Sequence, residues 1–327
     1  MRRPRVFITQ PIARSAIERL QSVADVDWNP DNQHIVTKDE LTAAVRQHDI
    51  LYCLLPDRVD AEVIGANPSL RLLATMKITP SDIDVPAATA RRIPVTVIPP
   101  VVTEATADLH FALLLAVARR VVEGDRLLRS GIFPGAQSMR LEGAAVSGKT
   151  IGLIGGGGRI GRAVARRARG FSMRTLYWGP RRIPEADEHE LGLGYVSLDQ
   201  LLAESDFVSV HAPLKPETRH LIGERELKLM KPSAFLVNTA RGPIVDEQAL
   251  VRALTERRIS GAGLDVYERE PQVEQALFTM TNVVLTPHLG SAVAELRESM
   301  AHLVVDNIIA VIEGRRPPNC WNPEIYA

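Results

Sequence analysis

Three segments in the second half of this 327-residue chain pass from an apolar, strand-like run into one reactive side chain each. Arg241 follows residues 235–240, Glu270 follows 261–269, and His288 follows 283–287. Side chains just past the carboxyl ends of parallel strands line the ligand crevice of an open α/β sheet, so a guanidinium, a carboxylate and an imidazole are expected to converge there. Each has an ordinary explanation taken singly: an arginine capping a helix, a solvated glutamate, a hydrogen-bonded structural histidine. Three such residues at three strand ends, beside a glycine-rich turn, are expected to act together. Histidine, with an unperturbed pKa of about 6.5, can exchange a proton with a carbonyl or alkoxide oxygen near neutral pH. A carboxylate on its other ring nitrogen would fix the ring and stabilise imidazolium, and arginine offers a planar fork for a substrate carboxylate. The set therefore predicts reversible reduction of a 2-keto acid.

The glycine-rich turn is Gly155-Gly156-Gly157-Gly158-Arg159-Ile160-Gly161, lying between a strand at 150–154 and a helix at 159–169. Gly156-x-Gly158-x-x-Gly161 matches the dinucleotide pattern, in which glycine lets backbone N–H groups approach a pyrophosphate at the positive end of the helix. One glycine is surplus, which leaves Gly155-x-Gly157 as a second register. About 20 residues on, NAD-selective proteins place an acid for the ribose 2′-hydroxyl. This chain instead reads Tyr177-Trp178-Gly179-Pro180-Arg181-Arg182. With no acid and two guanidinium groups that can grip a 2′-phosphate, NADP is the expected cofactor and NAD the alternative.

The elements that must position these groups alternate between short apolar strands and helical patterns, the signature of βαβ units. A first run has strands at 6–8, 50–54, 70–75 and 95–98, with an amphipathic helix at 38–47. After Pro99-Pro100 comes a long apolar helix at 104–122, with Thr103 as the expected N-cap. A second run has strands at 150–154, 174–178, 207–210, 235–238, 261–266 and 283–286. The final helix, 292–313, has no strand left to follow in the second run and is expected to return to the first. The fold class expected is α/β: two Rossmann-like, doubly wound parallel-sheet domains with an interdomain cleft. Residues 1–100 plus 291–327 form a discontinuous substrate domain and 101–290 a dinucleotide domain, with 130–147 as an extended arm or loop.

Composition limits the partners. Lys plus Arg equals Asp plus Glu at 39 each, so no global charge favours nucleic acid or an anionic membrane. The longest apolar run, 111–118, is far short of the roughly 20 residues a membrane span needs. The basic start, Met1 to Arg5, lacks a signal-peptide cleavage site, so a cytoplasmic location is expected. Cys53 and Cys320 are too few and too far apart for a disulfide framework or a zinc site.

Over nearly its whole length the chain resembles the D-2-hydroxyacid dehydrogenase family. The resemblance is carried by Ala105-Thr106-Ala107-Asp108-Leu109, the glycine turn, His211-Ala212-Pro213-Leu214 with Thr218, Asn238-Thr239-Ala240-Arg241-Gly242, Gly263-Leu264-Asp265-Val266 with Glu270-Pro271, and Thr286-Pro287-His288-Leu289-Gly290-Ser291. It implies that Arg241 binds and polarises substrate, that Glu270 supports His288, and that His288 is the acid/base. It further implies that Asp265 holds the nicotinamide carboxamide. Thr103, Gly156, Gly158, Arg159, Ile160, Arg181, Arg182, His211, Pro213, Thr218, Thr239, Ala240 and Gly290 then line the cofactor. A homodimer through the nucleotide domains, and a small anionic substrate of the glyoxylate or hydroxypyruvate kind, follow from the same resemblance.

One stretch departs from the family. Where a glycine-containing loop usually holds the substrate carboxylate, the chain reads Met76-Lys77-Ile78-Thr79-Pro80-Ser81-Asp82-Ile83-Asp84. Leu55, Lys77, Ile78, Thr79 and Ser291 are the expected substrate contacts beside Arg241. Lys77 reads either as an extra cation or as a surface lysine. As an extra cation it would favour a more strongly charged anion, and phosphite dehydrogenases of the same family carry a lysine near this loop. Phosphite oxidation is therefore the alternative reaction, and a dinucleotide-sensing scaffold, as in the C-terminal-binding-protein branch, the alternative class.

Overall fold

The structure, a computed structural model describing residues 2–327, divides into two compact units, one running to Val101 and resuming at Ala292–Ala327, the other Val102–Ser291. The first holds five parallel strands: β1 (Arg5–Ile8), β2 (Asp25–Trp28), β3 (Ile50–Cys53), β4 (Leu72–Thr75) and β5 (Val95–Thr96), in the order β2-β1-β3-β4-β5. β3 and β4 are buried at every residue, as strands covered on both faces must be. The helix Lys38–Gln47 begins with a capping box, Glu40 N–H to the Thr37 hydroxyl and Thr37 N–H to the Glu40 carboxylate. The final helix, Ala294–Ile312, packs on the helix Arg14–Gln21 and on β4, so the C-terminal segment does return to the first sheet.

The second unit holds seven parallel strands: β6 (Thr150–Ile154), β7 (Arg174–Trp178), β8 (Leu193–Tyr195), β9 (Phe207–Val210), β10 (Phe235–Asn238), β11 (Gly261–Leu264) and β12 (Val283–Leu285). Their order is β12-β11-β10-β9-β6-β7-β8. The chain thus runs outward from β6 through β7 and β8, then returns to add β9 on the other side of β6. That reversal is the topological switch point at which open α/β sheets bind ligands. The helix Thr103–Ala118 lies on β10 and β11 and against the helix Arg159–Gly170. Its buried Phe111, Leu113 and Leu114 are each worth about 1.5–3 kcal/mol of burial.

The expected α/β class with two parallel sheets is what the chain adopts. Thr103, however, is the first helical residue and not the N-cap, which is Val102 without a side-chain cap bond. The helix stops at Ala118, because Arg120 takes a left-handed backbone (φ 52°), and a separate helix, Val121–Arg129, follows. β2 and β8 escaped the sequence reading. Three of the four residues of β2 are exposed, and β8 is three residues long, so neither makes an apolar run. Residues 130–147 carry no helix or strand, as expected of an arm.

Candidate active site

Arg241, Glu270 and His288 all lie beyond carboxyl ends of the second sheet, after β10, β11 and β12. Asn238, the last residue of β10, is buried and shapes the turn after it. Its amide donates to Arg241 O (3.1 Å) and accepts from Ala240 N–H (3.0 Å). The exposed Arg241 guanidinium donates to Ala240 O at 2.7 Å. Glu270 accepts from Tyr267 N–H on Oε1 (3.0 Å), and its Oε2 lies 2.9 Å from His288 Nδ1. Burial opposes charge on this carboxyl, but the hydrogen bond and charge of His288, helped by Arg241, outweigh it and hold Glu270 below its ordinary pKa. The three groups therefore share one electrostatic environment, and the bond to Glu270 uses only the Nδ1 of His288.

The loop carrying His288 is pinned by Asp265. His288 has a left-handed backbone (φ 55°), which costs a non-glycine residue on the order of 1 kcal/mol or more. Its N–H bonds Asp265 O at 2.9 Å. The buried Asp265 carboxylate accepts from the Thr286 hydroxyl (2.7 Å) and Leu289 N–H (2.6 Å) on Oδ1, and from Gly290 N–H (2.9 Å) on Oδ2. Burial raises the Asp265 pKa, against the pull of those donors and the His288 charge. With three of its roughly four acceptor sites taken, the Asp265 carboxylate ties Thr286, Leu289 and Gly290 around the histidine loop. Thr286 is a site residue that motif reading left without a role.

The glycine turn fits a dinucleotide. Gly155 has φ +83°, and a Cβ there would lie 2.7 Å from Ala212 N, so only glycine is accommodated. A Cβ on Gly161 would lie 2.5 Å from Gly156 Cα, which is the close turn-to-helix packing the third glycine of the motif provides. Gly158 is the N-cap of the helix Arg159–Gly170, which fixes the register as Gly156-x-Gly158-x-x-Gly161 and puts Arg159 and Ile160 in the first turn, where backbone N–H groups have no partner within the helix. Nearby polar atoms await a partner: both ring nitrogens of His211 and the Thr239 hydroxyl are buried without a hydrogen bond. Burial drives the His211 pKa down to about 3, so the ring is neutral and can both donate and accept. His110, on the helix Thr103–Ala118, backs it edge-on at 5.0 Å.

Residues 111–290 match the D-isomer specific 2-hydroxyacid dehydrogenase, NAD binding domain. A glyoxylate reductase from Thermococcus litoralis is 47% identical over 327 residues, covering 99% of this chain and 98% of its own. The chain belongs to the D-2-hydroxyacid dehydrogenase family. Among solved structures, the TT0316 protein of Thermus thermophilus superposes with a TM-score of 0.90 at 43% identity, covering 97% of this chain and 99% of that one. An NADPH-dependent glyoxylate/hydroxypyruvate reductase from Sinorhizobium meliloti, in complex with citrate, gives 0.80 at 32% identity with 97% of each chain covered. The protein is accordingly an NAD(P)-dependent oxidoreductase with a nicotinamide cofactor.

The remaining expected contacts of this dehydrogenase divide by unit. In the second, Thr218 closes its own loop, its hydroxyl donating to Pro213 O (2.7 Å) and accepting from Lys215 N–H (2.8 Å). Gly290 O accepts from the Thr106 hydroxyl at 3.2 Å. Arg182 is paired with Glu188, a residue motif reading passed over. In the first unit Leu55 is exposed in the loop after β3, Ile78 is half-buried and Thr79 exposed in the loop after β4. Lys77 is neither a surface lysine nor a spare cation. It is buried, with its ammonium on the Asp82 carboxylate, which also accepts from the Ser81 hydroxyl. A proline-containing loop that supplies its own counter-ion is self-contained, which spacing alone does not reveal. Among the described residues no helix is long and apolar enough to cross a membrane, and no His, Cys, Asp and Glu cluster could hold a metal.

Proposed function

We propose that the protein reduces glyoxylate or hydroxypyruvate to the 2-hydroxy acid, with NADPH preferred over NADH. The observation that carries this reading is the His288 Nδ1 to Glu270 Oε2 hydrogen bond with Arg241 electrostatically coupled to it. When bound, a nicotinamide dinucleotide supplies the hydride. His288 then delivers the Nε2 proton to the carbonyl oxygen, and Glu270 stabilises the imidazolium that carries it. Arg241 offers its fork to the substrate carboxylate and polarises the carbonyl. His211 and Thr239 satisfy their unpaired polar atoms on the cofactor, Gly156, Gly158, Arg159 and Ile160 present backbone N–H groups to its pyrophosphate, and Arg181 and Arg182 select a 2′-phosphate.

Two further readings belong here. Exposed Val121, Leu128, Ile132, Phe133 and Met139, on the helix Val121–Arg129 and the arm after it, support a homodimer formed through the second unit. Light scattering that gives the mass of one chain would remove it. A cytoplasmic location is proposed because the reaction consumes a reduced dinucleotide, which the cell interior supplies. Phosphite oxidation draws less support from Lys77, whose charge is already matched by Asp82.

The deciding experiment is a panel of NADPH and NADH assays against glyoxylate, hydroxypyruvate, pyruvate and phosphite. Turnover of glyoxylate or hydroxypyruvate with NADPH is expected to lead. Phosphite-dependent reduction of the dinucleotide as the sole activity would reverse the substrate assignment, and dinucleotide binding without turnover of any acid would indicate a scaffold.

A further inference from the structure

The sequence presents Arg181 and Arg182 as equivalent, and the structure separates them. Arg182 makes a bidentate pair with Glu188, Nε to Oε1 at 2.9 Å and Nη2 to Oε2 at 2.6 Å. The exposures of the two side chains are unequal, 59% for Arg182 and 7% for Glu188. Glu188 Oε1 also accepts from the Tyr177 hydroxyl at 2.6 Å, and that hydroxyl in turn accepts from Ile183 N–H at 2.9 Å. Held by Arg182 first and Tyr177 second, Glu188 is driven down to about 2 and stays ionised. Among the described residues Arg181 has no ion-pair partner.

This network adjoins the glycine turn. Gly155 N–H donates to Trp178 O at 2.7 Å, and a Cβ on Gly157 would sit 2.6 Å from Ile183 Cγ2. Two other acids flank it: Glu185 adds to the field on Arg182, and Asp187 is committed to Arg162 at 2.8 Å. Were Arg182 to swing onto a ligand, Glu188 would be left buried and charged with only a phenol for a partner. That loss favours keeping the pair. The Nη1 edge of Arg182 lies outside it.

We propose that Glu188, tied down by Tyr177, is a positioning residue that aims Arg182 at a 2′-phosphate and thereby sets the preference between the two nicotinamide dinucleotides. The inference rests on the NADPH reading above. Its physical content is that the rotamer freedom an exposed arginine would lose on binding has already been removed.

The test measures binding of 2′,5′-ADP and of 5′-ADP by calorimetry to wild type, Arg182→Ala, Glu188→Ala, Glu188→Gln and Tyr177→Phe, alongside thermal melting and the KM for NADPH and NADH. Wild type is expected to favour 2′,5′-ADP, and Arg182→Ala to reduce that preference. Glu188→Ala is expected to weaken 2′,5′-ADP by about fivefold, with 5′-ADP held within about twofold and the KM for NADPH raised selectively. Glu188→Gln, which keeps one acceptor oxygen and the side-chain shape, should show a smaller shift in the same direction and carries the test if the alanine variant does not fold. Equal losses for both ligands would make Glu188 merely structural and overturn the proposal. Tighter 2′,5′-ADP binding in Glu188→Ala would overturn it too, by showing that Glu188 competes for the arginine. Equal affinity of wild type for both ligands would remove the NADPH reading itself, and the inference with it. A wild-type preference that depends on Arg182 but not on Glu188 would sink the inference alone.

Discussion

His288 Nδ1 lies 2.9 Å from Glu270 Oε2, so the imidazole is held by one nitrogen, and the proposed reaction uses the other. Replacing His288 by Asn removes the proton carrier without enlarging the loop. Turnover should fall by about 10²–10⁴-fold, with dinucleotide affinity held within about twofold. Steady-state kinetics and fluorescence titration of the dinucleotide read the two quantities separately. A matching loss of dinucleotide affinity would give His288 a structural role.

Glu270 has a depressed pKa, so its contribution to stability is present above its ordinary value of 4.5 and is lost as pH falls below that towards its folded-state value. Glu270→Gln should therefore melt lower than wild type at pH 7 and converge with it in acid. In the same variant the ring loses the carboxylate that holds Nδ1, and turnover should fall. Unchanged turnover would detach Glu270 from His288.

Asp265 accepts from Thr286, Leu289 and Gly290, and an asparagine would turn a donor towards at least one of those N–H groups. Asp265→Asn is expected to cost about 1–3 kcal/mol and to lower kcat more than it raises substrate KM, because the His288 loop loses its pin. Calorimetry and kinetics measured together decide the point. Wild-type stability with normal kcat would show the loop to be held by other contacts.

Gly161→Ala places a Cβ 2.5 Å from Gly156 Cα, against backbone that cannot yield without moving the turn. A loss of about 1–3 kcal/mol is expected, with weakened dinucleotide binding. Thermal melting with and without NADPH would show both effects, and a variant equal to wild type in each would separate the turn from the cofactor.

His211 stays neutral in the fold down to about pH 3, whereas an unfolded histidine protonates near 6.5. The unfolded chain thus binds the extra proton between those values, and stability must fall as pH drops through that window. His211→Phe should flatten the fall between about pH 6.5 and 3. An unchanged slope would mean that the ring is solvated.

The sequence by itself determined the alternation of strands and helices, the glycine turn and the three reactive residues, because each leaves a local trace: an apolar run, a residue type that alone tolerates a turn, a functional group at a strand end. Even the boundaries of β6, β7, β9 and β10 were legible, since each is a short run whose interior is buried. Only the tertiary structure decided which charges are free. Asp82 lies five residues from Lys77 and Glu188 six from Arg182, and nothing in their spacing tells a partner from a solvated neighbour. Burial settles it, because an ion taken out of water must find its counter-charge in the fold, and burial is a property of the packed chain and not of any segment of it.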